Sequence, residues 1–325
     1  MSLSKHLAGA LRLPVVAAPM FLVSGVDLVV AACRAGVIGS FPSVNARTSD
    51  ELDHWLERIA QELEGARAAG AQPAPYAVNL IVHPTNRRLA ADMAVLARHE
   101  VPIVITSVGN PRATADTVHA WGGLVYADVA TLKHAERALA AGVDGLILLC
   151  AGAGGQTGWA NPFAFVRSVR RFYEGTLILA GGIADGSGLR AAELLGADLA
   201  YLGTRFVATR ESMAQDEYKR MLVDSSMDDV VSTRAFTGLD SNMLKPSIRR
   251  AGFDPEVLVD LDKSSLDVAT IFDPIAHRNK PWRDVWSAGH GVGLVRDVPS
   301  VMELVDRLAV EYRSSHPPDS PSSPH

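Results

Sequence analysis

Cysteine is scarce in this chain. Only Cys33 and Cys150 occur among its 325 residues, and each lies inside an apolar segment. Two such cysteines provide neither a disulfide framework nor the ligand spacing of a metal-binding motif. The sequence therefore fits a reducing compartment and predicts no metal site.

Basic charge is also in short supply. Lys and Arg total 31 against 36 Asp and Glu, so the formal net charge is -5 and the isoelectric point lies near 6.1. A nucleic-acid surface needs clustered Lys and Arg to neutralise phosphates. No run reaches the roughly 18 apolar residues of a membrane helix, and the N-terminus lacks the long apolar stretch of a secretory signal. We expect a cytoplasmic protein that binds neither nucleic acid nor membrane.

Short apolar runs are what the chain has in abundance. Its length and its 48% hydrophobic content suffice for one barrel domain, or for a barrel with a smaller subdomain. Short continuous apolar runs are typical of strands buried on both faces, and eight alternate here with helical patterns, which predicts a TIM (β/α)8 barrel. The predicted strands are Val15–Ala18, Val37–Ser40, Tyr76–Ile81, Pro102–Thr106, Gly123–Tyr126, Gly145–Leu149, Thr176–Ala180 and Leu199–Leu202.

The pattern changes after the eighth predicted strand. Residues 206–290 have helical segments and polar turns without a clear parallel strand, and we assign them to a helical insertion that caps the barrel. The barrel domain then comprises residues 1–205 and 291–313, and its last helix spans about Val298–Tyr312. Residues 314–325 are rich in Pro and Ser and are predicted to be disordered. Seven further helices are predicted at Val26–Arg34, Ser49–Ala69, Asn86–His99, Arg112–Trp121, Thr131–Ala141, Pro162–Phe172 and Ser187–Leu195.

Glycine-rich loops follow the last three predicted barrel strands. They read AGAGGQTG at 151–158, AGGI at 180–183 and GTRF at 203–206. Glycine lets backbone N–H groups approach a ligand closely, and the loops after strands seven and eight bind phosphate in many such barrels. Together with polar residues at other strand ends, these loops predict a site for a phosphate-bearing ligand.

The motifs resemble the nitronate monooxygenases, a family of FMN-dependent barrels formerly called 2-nitropropane dioxygenases. The resemblance covers about residues 10–310, through APM at 18–20, VNLIVHPTN at 78–86, ITSVGNP at 105–111, AGVDGLILLCAGAGGQTG at 141–158, LAGGIADG at 179–186, AYLGTRF at 200–206 and WSAGHGVG at 286–293. It implies that FMN is the cofactor and that O2 reacts with a small-molecule substrate. The implied cofactor-binding residues are Ala18, Pro19, Met20, Asn79, Asp128, Ala153, Gly154, Gly155, Gly181, Gly182, Gly203 and Thr204.

One departure from the family pattern affects catalysis. The loop after strand six commonly reads AGGHxG in the family, where the histidine is the candidate general base, and this chain has Gln156 at that position. A glutamine amide forms hydrogen bonds but takes up no proton at neutral pH. Where relatives often read AGQGVG, this chain has His290 in Ala288–Gly293. We consider a spatial exchange of Gln and His across the flavin, which makes Gln156 and His290 the candidate catalytic residues.

Several of these residues have simpler interpretations. The glycines are also compatible with tight turns and Met20 with a core position, while Asn79 fits a loop cap and Asp128 the N-cap of the following helix. His83 fits a solvated loop better than the pocket. Trp159, Trp282 and Trp286 either form an apolar wall over the flavin or join the insertion to the barrel.

Three functions remain open at the level of sequence. The favoured one is oxidation of alkyl nitronates with O2, weak on neutral nitroalkanes because their α-proton needs a base. The second is an NAD(P)H-dependent flavin oxidoreductase, a quinone or enoyl-thioester reductase, although no GxGxxG fingerprint marks a Rossmann-type nicotinamide site. The third is a non-catalytic flavin-binding protein. The physiological substrate and the oligomeric state stay open, with a homodimer as one candidate.

Overall fold

Eight parallel strands close into a barrel in the computed structural model, which describes residues 5–261 and 283–315. Strand β1 pairs with both β2 and β9, which closes the ring. The predicted barrel is therefore confirmed. The strands up to residue 202 are β1 (Val15–Ala17), β2 (Ile38–Pro42), β3 (Tyr76–Ile81), β4 (Ile103–Ser107), β5 (Leu124–Val129), β6 (Gly145–Leu149), β7 (Gly155–Gln156), β8 (Thr176–Ala180) and β9 (Leu199–Leu202), and β7 alone lies outside the barrel.

The seven helices predicted between the strands are present, with ends that shift by a few residues, and the short helices α1 and α9 were not predicted. The helix predicted from Asn86 begins only at Leu89, because the Asn86 side chain accepts a hydrogen bond from the Arg88 N–H and forms a turn first. The helices that accompany the barrel are α1 (Lys5–Ala10), α2 (Val26–Arg34), α3 (Ser49–Ala68), α4 (Leu89–Arg98), α5 (Arg112–His119), α6 (Leu132–Ala140), α7 (Pro162–Arg170), α8 (Gly186–Leu195) and α9 (Thr204–Val207).

The segment after β9 contains helices α10 (Asp216–Asp224) and α11 (Lys245–Arg250), as expected of a helical insertion. It also contains an antiparallel pair that the sequence did not indicate, β10 (Val230–Thr233) and β11 (Ser241–Leu244). Strand β11 pairs in turn with β7, which joins the insertion to the loop after β6. The boundaries of a separate cap subdomain stay a prediction, and residues 262–282 of it lie outside the described residues.

The last helix, α12 (Val301–Ser314), completes the outer ring. It begins three residues later than predicted, because Ser300 and Glu303 form a reciprocal capping box at its start. Its buried residues Val301, Leu304 and Leu308 pack with α2 and α8. The tail predicted to be disordered lies outside the described residues from residue 316 onward.

Candidate functional site

A large cavity opens at the carboxyl ends of the barrel strands. About 1360 Å³ of space between atoms lies in it, a figure that includes its open mouth. The structure brings every residue of the predicted cofactor site to its lining, although their binding role stays a prediction. These residues are Ala18, Pro19, Met20, Asn79, Asp128, Ala153, Gly154, Gly155, Gly181, Gly182, Gly203 and Thr204.

The floor of the cavity is the top layer of side chains inside the barrel. Alternate residues of a strand point to the same side, and the layer below is formed by Ala77, Ile105, Tyr126, Ile147, Ile178 and Leu199. Two residues further along each strand lie Asn79, Ser107, Asp128, Leu149, Ala180 and Tyr201, and all six line the cavity. The floor therefore carries polar groups on β3, β4, β5 and β9 and apolar groups on β6 and β8.

Asn79 is held in a fixed orientation on this floor. Its amide nitrogen donates to the Ile105 carbonyl oxygen and to the Ser107 Oγ, both at 3.1 Å. The next residue of the cavity wall, Val108, has a φ of +52°, which a β-branched side chain adopts only under strain. Strained backbone of this kind is often found at functional sites. These contacts tie the side chain of Asn79 on β3 to the end of β4.

Asp128 is the only acidic side chain among the described residues that line the cavity. Its Oδ1 atom is buried and has no hydrogen-bond partner. The alternative interpretation of Asp128 as the N-cap of α6 is wrong, because Thr131 occupies that position and its Oγ1 accepts from the His134 N–H at 3.1 Å. Burial raises the pKa of Asp128 to about 7. Burial and the nearby Asp128 also raise the pKa of the Tyr201 phenol well above its usual value.

The raised pKa of Asp128 predicts a pH-dependent stability of the flavin-free protein. The folded state binds the proton more tightly than the unfolded chain, whose aspartates titrate near pH 4. Stability is therefore lost as pH rises from about 4 to about 7. We expect Asp128→Asn to raise the melting temperature at pH 8 and to change it little at pH 4, as measured by calorimetry without flavin. An equal change at both pH values would contradict a buried, unpaired carboxylate.

The glycine-rich loops pack backbone against backbone. A Cβ atom added at Gly154 would lie 2.7 Å from the Gly289 amide nitrogen, and one added at Gly289 would lie 2.6 Å from the Gly152 carbonyl oxygen. The Thr204 Oγ1 accepts from the Gly289 N–H at 2.8 Å and joins the loop after β9 to the same contact. Gly154 and Gly289 are therefore required by the close approach of the loop backbones.

Gln156 is positioned by a residue that sequence reasoning missed. The side-chain nitrogen of Asn242 on β11 donates to the Ala151 and Ala153 carbonyl oxygens at 2.8 and 2.7 Å. Ser241, the preceding residue, pairs with Gln156 in the antiparallel sheet. Nothing near either residue in sequence signals this contact, since almost ninety residues separate the partners. Gln156 is among the residues that line the cavity.

His290 does not occupy the corresponding place across the cavity. Its neighbours Gly289 and Gly291 line the cavity, but its own side chain is exposed and is absent from the lining. Its backbone N–H donates to the Gly152 carbonyl oxygen at 3.0 Å, which fixes the loop. The spatial exchange of Gln and His is thus not supported by this geometry.

Trp286 packs within the segment that follows the barrel. Trp286 is buried, stacks on Tyr218 at 4.8 Å between ring centroids and carries the Arg250 guanidinium 3.4 Å above its ring. The Tyr218 hydroxyl, which lines the cavity, donates to the Ser287 carbonyl oxygen at 2.6 Å. Trp159 is 81% exposed, and Trp282 lies outside the described residues. His83 is half-buried beside Thr85 and is not part of the described lining.

A model of the nitronate monooxygenase family matches residues 86–311. The chain belongs to the nitronate monooxygenase family. It is 27% identical to the nitronate monooxygenase of Paraburkholderia phytofirmans over 93% of each chain. It is also 28% identical to (3aS,4S,5R,7aS)-5-hydroxy-7a-methyl-1-oxo-octahydro-1H-indene-4-carboxyl-CoA dehydrogenase of Mycobacterium tuberculosis, over 72% of this chain and 64% of that protein.

Solved structures agree with this assignment. A nitroalkane oxidase from Streptomyces ansochromogenes has a TM-score of 0.74 and 25% identity, covering 96% of this chain and 99% of its own. FabK from Thermotoga maritima has a TM-score of 0.75 and 25% identity, covering 94% of both chains. The family consists of flavin-dependent oxidoreductases, so this chain is an oxidoreductase. None of its described helices combines the length and apolar character that a membrane crossing requires.

The cavity fits a flavin nucleotide. Its described lining has no Lys, Arg or His side chain, so a phosphate group would be held by backbone N–H groups of the glycine loops. A Cβ atom added at Gly182 would meet nothing within 4 Å, which leaves room for a ligand against that backbone. The unpaired Oδ1 of Asp128 offers a polar contact on the floor. The residues present therefore suit a molecule with an anionic end and a flat polar ring.

Proposed function

We propose that this protein binds FMN in the cavity and oxidises alkyl nitronates with O2, with weak activity on neutral nitroalkanes. The observation that carries the proposal is the presence of Gln156, without any histidine, in the described lining. A nitronate is already an anion and needs no proton removed before oxidation. A neutral nitroalkane must first lose its α-proton to a base, and an amide supplies none at neutral pH.

Each part of the site has a distinct role in this proposal. The loops with Gly181, Gly182, Gly203 and Thr204 hold the phosphate, while the floor holds the ring through Asn79 and Asp128. Bound flavin supplies the two-electron acceptor that the protein's own side chains lack. Gln156 donates a hydrogen bond to the anionic nitro oxygens of the substrate and orients it. Asn242 keeps Gln156 in place by holding the carbonyl groups of Ala151 and Ala153.

The first test is the absorbance spectrum of the purified protein, followed by mass spectrometry of the released cofactor. We expect a flavin band and the mass of FMN. Anaerobic ethyl nitronate should bleach the band at once, whereas nitroethane at pH 7 should bleach it slowly. No flavin band after reconstitution with FMN, or no bleaching by any nitronate, would contradict the proposed function.

A reductase is the second candidate, because the chain resembles FabK and a carboxyl-CoA dehydrogenase about as closely as it resembles nitronate monooxygenases. In this case NADPH or NADH would donate electrons to the flavin and a quinone or an enoyl thioester would accept them. Anaerobic addition of NADPH distinguishes the two candidates. Bleaching by NADPH and not by ethyl nitronate would favour the reductase.

A further inference from the structure

Asp128 is a half-buried acid on the floor to which the proposed reaction assigns no proton transfer. It lies on the floor with Asn79 and Ser107, whose side chains bond to each other, whereas its own Oδ1 has no partner. A carboxylate oxygen that is buried without a hydrogen bond or a counter-charge is costly, so this Oδ1 is suited to a partner that binds in the cavity. Apolar side chains on β6 and β8 form the rest of the floor. The polar side chains of the floor suit the polar pyrimidine edge of a flavin.

No charged group that faces Asp128 fixes its protonation state, so a bound ligand can change it. Among the described residues of the lining, the only other ionisable side chains are Tyr201 and Tyr218. Burial raises the pKa of both phenols, that of Tyr218 to about 12, so both stay neutral near pH 7. In the sheet register Asp128 pairs with Ile147 on β6, and Ser107 follows the last paired residue of β4 beside it; neither side chain is ionisable. No cation in this part of the chain holds Asp128 in its ionised form.

We propose that Asp128 binds a proton when the flavin is reduced and thereby couples electron uptake to protonation of the protein. The inference rests on the proposed binding of FMN. Two-electron reduction, with a nitronate as the electron source, would add one proton and one negative charge to a flavin held in this cavity. That charge raises the proton affinity of a nearby carboxylate. A second proton from solvent then binds an Oδ atom of Asp128, which becomes a neutral carboxyl group and donates a hydrogen bond to the ring.

The test is the midpoint potential of the bound flavin as a function of pH, measured by anaerobic dithionite titration against a reference dye. In the wild type the midpoint potential should fall as pH rises, and above pH 7 the extra proton should make this fall steeper by about 30 mV per pH unit. This value corresponds to a tenfold change in a two-electron equilibrium. Asp128→Asn should lose the extra slope and have the higher potential at pH 9. Asp116→Asn, which removes an exposed carboxylate on α5, should behave as the wild type.

The outcomes separate this inference from the proposed function. Failure of the wild type to bind FMN would overturn both. Bound FMN with equal slopes in the wild type and Asp128→Asn would overturn the role of Asp128 alone, whatever the substrate. Asp128→Ser is a second neutral variant with a smaller side chain, and flavin binding by either variant shows that its barrel is folded. Loss of the extra slope in both Asp128 variants and not in Asp116→Asn is the supporting result.

Discussion

Gln156→His should convert the protein into an efficient oxidase of neutral nitroalkanes. Gln156 lies on β7, which is held against β11, so an imidazole at this position would face the same cavity. A positioned general base contributes roughly 10²- to 10⁴-fold, and we expect kcat/KM for nitroethane to rise by at least about 100-fold. The rate with ethyl nitronate should change only a few-fold. Oxygen consumption with both substrates measures the ratio.

The pH profile and two further variants complete this test. The gained activity should rise with pH through a pKa near that of imidazole, about 6.5. Gln156→Met, similar in size but unable to accept a proton, should gain nothing on nitroethane and lose activity on the nitronate. Comparable wild-type rates on nitroethane and its nitronate, lost in His290→Ala, would instead show that His290 is the base. Loss of such activity in Asp128→Asn would assign the base to the floor.

The barrel was predictable because its signals are local. Each strand is a short apolar run. The caps Thr131 and Ser300 were not recognised, so these two helices begin one and three residues after their predicted starts. The residues that line the cavity could also be predicted from the ends of the strands, because in this fold the carboxyl ends of all eight strands meet at one face. The glycine loops were found for the same reason.

The cap and the supports of the site were not predictable in this way. Strands β10 and β11 have four residues each, and β11 is buried on both faces, so neither shows the alternation of a half-buried strand. The hydrogen bond from Asn242 to the loop after β6 joins distant parts of the chain. Exposure of His290 likewise follows from how its loop packs on Gly152. The sequence indicated which residues lie near the site but not which side chains face it.

Gly182→Ala should abolish most of the flavin affinity while costing no more stability than the same change at another glycine in the left-handed region. Gly182 has a φ of +74°, its N–H donates to the Gly152 carbonyl oxygen, and an added Cβ would meet no atom of the protein within 4 Å. A methyl group there would enter the space proposed for the phosphate end of FMN. Overpacking costs typically 1–3 kcal/mol, so we expect the Kd for FMN to rise by about 10- to 100-fold.

Gly142→Ala provides a matched control for backbone strain. Gly142 has a φ of +87°, its N–H also bonds to a carbonyl oxygen, and an added Cβ would again meet nothing within 4 Å. It follows α6 at the opposite end of the barrel from the cavity. Placing alanine in the left-handed region costs about 1–2 kcal/mol at either position, so urea denaturation of the flavin-free variants should give similar losses. Both variants carry the same backbone strain, so a loss of FMN affinity confined to Gly182→Ala would show that the added methyl group meets the bound FMN. Equal FMN affinities in the two variants would place the cofactor elsewhere.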